Sequence, residues 1–408
     1  MRELEGRRLW FVGIGGAGMS ALALVAKVWG AEVGGSDRAR SPYVDLLEAA
    51  GVDVAIGHSA DQVPDGAELV VSSAIAQDNP ELVRARARDF KTTTRGELLA
   101  QLVSARPSIV VAGAHGKTTT AAMIAFCLDQ LGDDPTFLIG GEVPQLGGNA
   151  RAGGGWLVAE GDESDRSLEL LQPRIAVLTN VDLDHHATFG SRAEVEELFE
   201  RWLAHAPNVV RGADLDPVAG KLAVPGEHNR RNAAAAVAAL ALAGFEPDQT
   251  MPLLAEFTGV GRRFQPVGEA DGVAVYDEYA HHPTEVAAAL AGAREAWPDA
   301  RLLVIFQPHL FSRTRHLAHE FADALATADV VAVTDVYPAR EEPVEGVTGK
   351  MIVDALADRR PGIALGWTPA LEDAVAFLRN RARSGDLALT IGAGDVNRAG
   401  PLLVEALG

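Results

Sequence analysis

Cysteine is nearly missing: Cys127 is the single one in 408 residues. That excludes a disulfide framework and a cysteine-rich metal site. Cys127 sits in the apolar run AAMIAFCLDQL and reads as buried packing. Long apolar runs are missing too. No stretch of 18 apolar residues occurs, so no membrane-spanning helix is predicted. The opening MRELEGRRLW lacks the apolar centre of a signal peptide, and the expected location is the cytoplasm. Positive charge is scarce. The net charge is -20 and the pI about 4.9. Such a surface repels a phosphate backbone and anionic lipid, which argues against nucleic-acid and membrane partners. Lysines number only five: Lys27, Lys91, Lys117, Lys221 and Lys350. A phosphate ligand must therefore be held by local donors, and a lysine inside a glycine-rich loop gains weight. Internal repeats are absent, and alanine-rich helices such as NAAAAVAALALAG are the only compositional bias.

Apolar residues are plentiful, at 48%, enough to give two to four domains a core each. Strand-like runs alternate with helical ones: RLWFVGI, AEVGG, VDVAI, ELVVSSAI, SIVVAGA, IAVLTNV, VAVYDEY, RLLVIFQ, DVVAVTDV and DLALTIGAG. Runs of this length suit parallel strands covered on both faces, in an α/β protein with ligands at the carboxyl ends of its strands. Boundaries fall near VSARPS (103–108) and GRRFQP (261–266). The segment 205–226 reads as a loop or a short strand pair and not as a domain linker.

Two glycine-rich turns follow strands. FVGIGGAGMSALA places Gly13, Gly15 and Gly18 between a strand and a helix, and Asp37 ends the next strand. This fits a diphosphate held by backbone amides at a helix start, without naming the molecule. A tight turn without ligand is the alternative. VVAGAHGKTTTAAM sets Gly113, His115, Gly116, Lys117, Thr118 and Thr119 in the same setting. Lys117 can reach terminal phosphates and Thr118 can hold Mg²⁺. The strict P-loop has a glycine where Val111 stands, so the turn is a variant. Hydride transfer needs no second phosphate turn. A chain that joins a nucleotide-linked substrate to something else at the expense of ATP needs both.

Further clusters lie beyond strands. WLVAEGDESDRS carries Glu160, Asp162, Glu163 and Asp165, with Glu160 just past a strand end. Carboxylates there suit Mg²⁺, and an acidic surface turn is the alternative for the last three. LTNVDLDHHATFG carries Asp182, Asp184, His185 and His186; zinc would want a second tight ligand pair that is not present. PGEHNRRNAAAA opens a helix with His228, Asn229 and Asn232, whose amides match an adenine edge unless Asn229 is a cap. GVGRRFQ gives Arg262 and Arg263, suited to a phosphoryl group in transfer. YDEYAHHPTE gives Asp277, Tyr279, His281 and His282, and FQPHLFSRTR gives His309, Arg313 and Arg315, where an arginine could clamp a small carboxylate. Solvated loop charge is the alternative for each.

In order and spacing, GIGGAGMSALA, GAHGKTTT, AEGDESD, TNVDLDHH, PGEHNRRNA, GVGRRF, DEYAHHPTE, FQPHLFSRT and TIGAGDV resemble the Mur ligases from residue 13 to about 396. The likeness is nearest to members that attach L-alanine to UDP-N-acetylmuramic acid. It implies an α/β chain of three domains: a Rossmann-like UDP-sugar domain (1–105), a shortened P-loop-type ATPase domain (106–262) and a Rossmann-like C-terminal domain (263–408). It implies ATP-dependent ligation of L-alanine to the lactyl carboxylate through an acyl phosphate, in peptidoglycan precursor synthesis, with ATP and Mg²⁺, by a monomer or homodimer. The UDP-sugar would meet Gly15, Gly16, Ala17, Gly18, Met19, Ser20, Ser36, Asp37 and Ser73. ATP would meet Gly113, Ala114, His115, Gly116, Lys117, Thr118, Thr119, His228, Asn229, Asn232, Arg263 and Asp277. Thr118, Glu160 and His185 would hold metal. Lys117, Glu160, His185 and Arg263 would be catalytic, and Tyr279, His281, His309 and Arg313 would face the alanine. The rivals are a murein-peptide ligase of the same family, a non-ligating UDP-sugar-binding protein and, third, a nicotinamide dehydrogenase. Two departures stand out. Ala114 replaces the family's usual threonine, and the stretch from Trp202 to Pro225 is short, which trims the central domain's periphery and spares its nucleotide loops.

Overall fold

The computed structural model describes residues 3–72, 74–183, 188–339 and 341–408. It divides into two compact units, Met1–Val218 with Arg231–Phe257, and Ala219–Arg230 with Thr258–Gly408.

The first unit holds two sheets. One is built from β1 (Arg8–Val12), β2 (Glu32–Asp37), β3 (Asp53–Ile56), β4 (Glu68–Val71) and β5 (Thr92–Thr94), in the order β3-β2-β1-β4-β5. All its pairings are parallel, with Val12 opposite Ser36 and Val71. The other is built from β6 (Ser108–Ala112), β7 (Thr136–Val143), β8 (Gly148–Arg151), β9 (Leu157–Glu160), β10 (Ile175–Leu178) and β11 (Asn208–Arg211), in the order β11-β10-β6-β9-β7-β8. Only the β7–β8 pair is antiparallel. The central strands are apolar along their length because helices cover both faces: Phe11, Val12, Ile109, Val110 and Val111 are fully buried. A continuous core joins Leu22, Val25, Trp29, Leu98 and Leu102 to Leu198, Phe199 and Trp202.

The second unit holds β12 (Gln265–Ala270), β13 (Val273–Glu278), β14 (Leu302–Phe306), β15 (Val330–Val333), β16 (Ala364–Trp367) and β17 (Leu387–Ile391), in the order β12-β13-β17-β14-β15-β16. Here β12–β13 is the antiparallel pair. Phe306, Phe321, Leu290, Leu389 and Ile391 fill one side of its core.

All ten strand readings are strands. Segment 205–226 differs from the expected loop or strand pair: it gives one strand, β11, which joins the sheet edge parallel to β10, then a short turn and coil, and, against the expectation that it is no linker, the chain passes from one unit to the other within it, at Val218 and Ala219. Val210 is the buried residue that anchors it. Glu160 is the last residue of β9, opposite Val111, and not the one after it. Cys127 is buried in the helix Lys117–Gln130 as expected. Among the described residues, no helix is long and apolar enough to cross a membrane.

Candidate active site: two glycine turns and an acidic loop

The first turn follows β1. Gly13 has φ +84°, a conformation open to glycine, and the amides of Gly13 and Ile14 donate to Ser36 O at 2.8 and 3.0 Å. Asp37 accepts from the Gly15 amide at 2.8 Å, and Ser41 Oγ donates to Gly15 O at 2.8 Å. A Cβ on Gly15 would lie 2.9 Å from Val44. Asp37 and Ser41 thus fasten the turn. The helix Ala17–Val28 then begins at Gly16 with no side-chain cap, which suits its first amides to an anion. Three expected sugar-nucleotide residues face inward instead. Met19 and Ser20 are buried, and Ser20 Oγ donates to Ala17 O at 3.0 Å. Ser36 is wholly buried: its hydroxyl donates to Glu81 at 2.9 Å and lies 3.0 Å from His58 Nδ1. Trp10 Nε1 donates to the same Glu81 carboxylate at 2.7 Å. This buried network escaped sequence reasoning, because an acid in the first turn of a helix reads as capping. Ser73 lies outside the described residues.

The second turn follows β6. Gly116 has φ +81° and caps the helix Lys117–Gln130; a Cβ there would collide with Asn232 Oδ1. Gly113, with φ +129°, has no room for a side chain beside Thr179. The end of β10 templates the loop. Thr179 Oγ1 and Asn180 Nδ2 donate to His115 O at 2.7 and 2.9 Å, and Asn180 Oδ1 accepts from His115 N at 2.9 Å. Ala114 N donates to Asn180 O at 3.2 Å. The amides of Ala114 and His115, expected at phosphate, are therefore spent on Asn180. The amides opening the helix at Lys117, Thr118 and Thr119 are left to serve an anion. Asn180 lies within the TNVDLDHH motif, yet its role shows only in three dimensions.

The acidic loop after β9 meets the second turn at Lys117 and meets Arg95, the first residue of the helix Arg95–Ala105. Lys117 Nζ donates to Gly113 O at 2.5 Å and to both oxygens of buried Glu163 at 3.0 and 3.2 Å. Burial works to lower its pKa, but Glu163, Asp162 and Glu160 outweigh that and hold the ammonium above its ordinary value. Thr118 Oγ1 donates to Glu160 Oε2 at 3.0 Å, and Gly140 N to Glu160 Oε1 at 2.5 Å. A hydroxyl beside a carboxylate at the foot of a phosphate turn is an oxygen donor set that fits Mg²⁺. His185, with Asp184 and His186, lies outside the described residues. Arg95 donates to Asp162 at 2.8 Å and Asp165 at 3.4 Å. Burial raises the Asp162 pKa, yet Arg95, Ser164 and Lys117 bring it below the ordinary carboxylate range.

In the second unit, Asn229 is buried and donates to Pro225 O at 2.7 Å, from the first turn of the helix Glu227–Ala243. His228 is pushed down to about 4 by burial and by the charge of Arg263. Asp277 is only 4% exposed and spends both oxygens inside the fold, on Thr390 at 2.6 Å and on Arg262 at 2.9 Å. The expected ribose acceptor is thus a fastening of the sheet here. Arg262 also donates to Gly392 O and Gly394 O at 2.8 and 3.0 Å. Arg262 and Phe264 have φ +59° and +53°, so Arg263 is carried on a strained turn. Its guanidinium lies 5.0 Å above the Tyr279 ring. Glu278, missed in the sequence, accepts the amides of Phe264 and Ala280, both at 2.9 Å; burial pushes it up to about 7 against the pull of Arg263. The four residues expected at the amino acid do meet. Tyr279 and His281 rings are 5.3 Å apart, His281 and His309 rings 5.9 Å, and Arg313 Nη1 lies 3.4 Å from His309 Nδ1.

Three family models match in series: the Mur ligase family catalytic domain over residues 8–107, the Mur ligase middle domain over 111–216, and the Mur ligase glutamate ligase domain over 262–394. The UDP-N-acetylmuramate–L-alanine ligase of Thermobifida fusca is 41% identical over 460 aligned residues, which take in 98% of this chain and 97% of that one. The enzyme of the same name from Rubrobacter xylanophilus is 41% identical over 447, covering 98% of this chain and all of that one. Among solved structures, UDP-N-acetylmuramate-alanine ligase MurC of Thermotoga maritima matches with a TM-score of 0.82 at 30% identity, over 98% of each chain. A murein peptide ligase of Psychrobacter arcticus shares the fold, with a TM-score of 0.69 at 24% identity. The ordered run of turns, the parallel sheets beneath them and these likenesses have one reading: the chain belongs to the Mur ligase family.

Proposed function

We propose that the chain joins L-alanine to the lactyl carboxylate of UDP-N-acetylmuramic acid at the expense of ATP, in the assembly of peptidoglycan precursors, and that it does so in the cytoplasm. The relatives at 41% identity carry that activity in their names. The observation that supports the reading is one unit with two unlike glycine turns, each between a strand and a helix. The first has no lysine or arginine among its own residues, 13–18, and the second carries Lys117 and the Thr118–Glu160 pair.

A free carboxylate is a poor electrophile. Its oxygen attacks the γ-phosphorus of ATP, the bond to the bridging oxygen breaks, and ADP leaves. The acyl phosphate then has phosphate as its leaving group, and the alanine amine displaces it through a tetrahedral intermediate. In this scheme Lys117 and Arg263 offset charge on the moving phosphoryl group. Thr118 and Glu160 would hold Mg²⁺, which neutralises phosphate charge when bound. Asn229 and Asn232 would serve the adenine, and Tyr279, His281, His309 and Arg313 the amino acid. The proposed domain limits are 1–105, 106–262 and 263–408.

The test is ADP release with each co-substrate omitted in turn. The reading expects release only when ATP, UDP-N-acetylmuramate and L-alanine are all present. Turnover with a murein tripeptide in place of alanine, and none with alanine, would move the chain to the peptide-ligase branch. Binding of the sugar nucleotide without any ADP release would leave a binding protein.

A further inference from the structure

We infer that Arg95 is a ligand of the sugar nucleotide's diphosphate, neutralised by the acidic loop until that substrate arrives. This rests on the reading that the first glycine turn holds the diphosphate.

Arg95 is the first residue of the helix Arg95–Ala105. A cation there sits at the positive end of the helix dipole and is disfavoured by it. The helix is already secured by its own capping box: Thr94 Oγ1 accepts from Glu97 N at 3.2 Å, and Glu97 accepts from Thr94 N at 2.7 Å. The cap of the helix thus does not depend on Arg95, whose guanidinium reaches away from it. One side donates to Asp162 at 2.8 Å and, more weakly, to Asp165 at 3.4 Å. The other nitrogen, Nη1, faces Gly18: a Cβ built there would lie 3.3 Å from it. Gly18 is not among the glycines with positive φ, so backbone conformation does not demand it. What it provides is room for Arg95 beside the first turn of the helix Ala17–Val28. A fork of five N–H donors, one edge on a carboxylate and one edge at a helix start, is suited to bridge to a phosphate lying on that start.

The acidic loop works as a stand-in anion. Ser164 holds Asp162 Oδ1 through its amide at 2.9 Å and its hydroxyl at 2.6 Å, which leaves Oδ2 for Arg95. The next residue, Glu163, does the same for Lys117. One loop thus neutralises two cations, one beside each glycine turn. A diphosphate arriving at the first turn competes with Asp162 for Arg95.

Isothermal titration of the full chain with UDP, uridine and ATP tests this, on the wild type, Arg95→Ala, Arg95→Lys and Asp162→Asn. Arg95→Ala should weaken UDP roughly tenfold or more while uridine and ATP stay within about twofold, since only the diphosphate contact is charge-assisted. Arg95→Lys keeps the charge and loses the fork, and should fall between. Asp162→Asn keeps the acceptor for Ser164 and removes the competing charge, so UDP should bind severalfold tighter. A loss that is equal for uridine and UDP, unchanged UDP affinity in Arg95→Ala, or a weakening in Asp162→Asn would each overturn the inference, and the last covers the case in which Arg95→Ala does not fold. A wild type that binds ATP but no UDP would instead overturn the reading of the first turn, and this inference with it.

Discussion

The residues with chemistry to do are also holding the fold. Lys117 and Glu163 form a largely buried pair, with Glu163 only 3% exposed. Losing Lys117 removes a phosphate ligand and also strips a buried carboxylate of that counter-charge. Breaking such a pair costs several kcal/mol when both groups are buried, and about 2 kcal/mol is expected here because the lysine is partly exposed. Lys117→Ala should therefore lose ligation and lower the urea midpoint together. Adding Glu163→Gln should restore most of the stability and none of the ligation; recovery of both would show that Lys117 is structural. His228 makes a pH prediction. Its folded value of about 4 lies below the ordinary 6.5, so the neutral ring is the one the fold accepts. Above pH 6.5 both folded and unfolded chains hold it neutral. As the pH falls from there toward 4, only the unfolded chain takes up the proton, and stability is lost. By pH 4.5 the loss from this one group is about 2.5 kcal/mol. Urea titrations at pH 7 and 4.5 should show a drop smaller by that amount in His228→Gln. An equal drop would mean the ring is solvated.

At the scale of elements, what was legible depended on how local the cause was. Strands such as β6, β14 and β17 are buried along their whole length and declare themselves as apolar runs. The strands that escaped are mostly at edges, where burial does not require an apolar run. β12 is QPVGEA, β8 is GNAR, β5 is TTT and β16 is ALGW, and none is buried along its length. β7 was hidden by two glycines in TFLIGGEV, although its first four residues are buried. The glycine turns and Lys117 were legible because their chemistry lies within a few residues of chain. Their supports were not: Asn180 reaches back 65 residues to His115, Arg95 reaches forward 67 to Asp162, and Glu81 meets Ser36 across 45. No spacing rule encodes such distances; only the sheet order does. The same holds for Asp277, whose tie to Thr390 exists because β13 and β17 are neighbours. Sequence reasoning thus found the turns and misjudged which of their atoms are free. The amides of Ala114 and His115, and the side chains of Ser36 and Asp277, face protein partners.

For the molecule as a whole, economy of chain and excess of negative charge bear on how substrates arrive. Alignment to the Thermobifida relative runs over 460 positions against 408 residues here, so at least about fifty positions have no counterpart in this chain. Both glycine turns and the six strands of the second sheet are nonetheless present. A net charge of -20 repels any nucleotide at a distance, and the cations that would draw it in are masked: Arg95 by Asp162 and Asp165, Lys117 by Glu163. Association should then be opposed by the long-range field and helped by salt. The field reaches about 30 Å at ~10 mM salt and about 8 Å at ~150 mM, so the association rate of UDP measured by stopped flow should rise severalfold across that range. Dissociation, set by short contacts inside the site, should change less. A rate that falls with added salt would mean that local positive charge projects beyond the acidic loop, and that the loop does not neutralise its two cations.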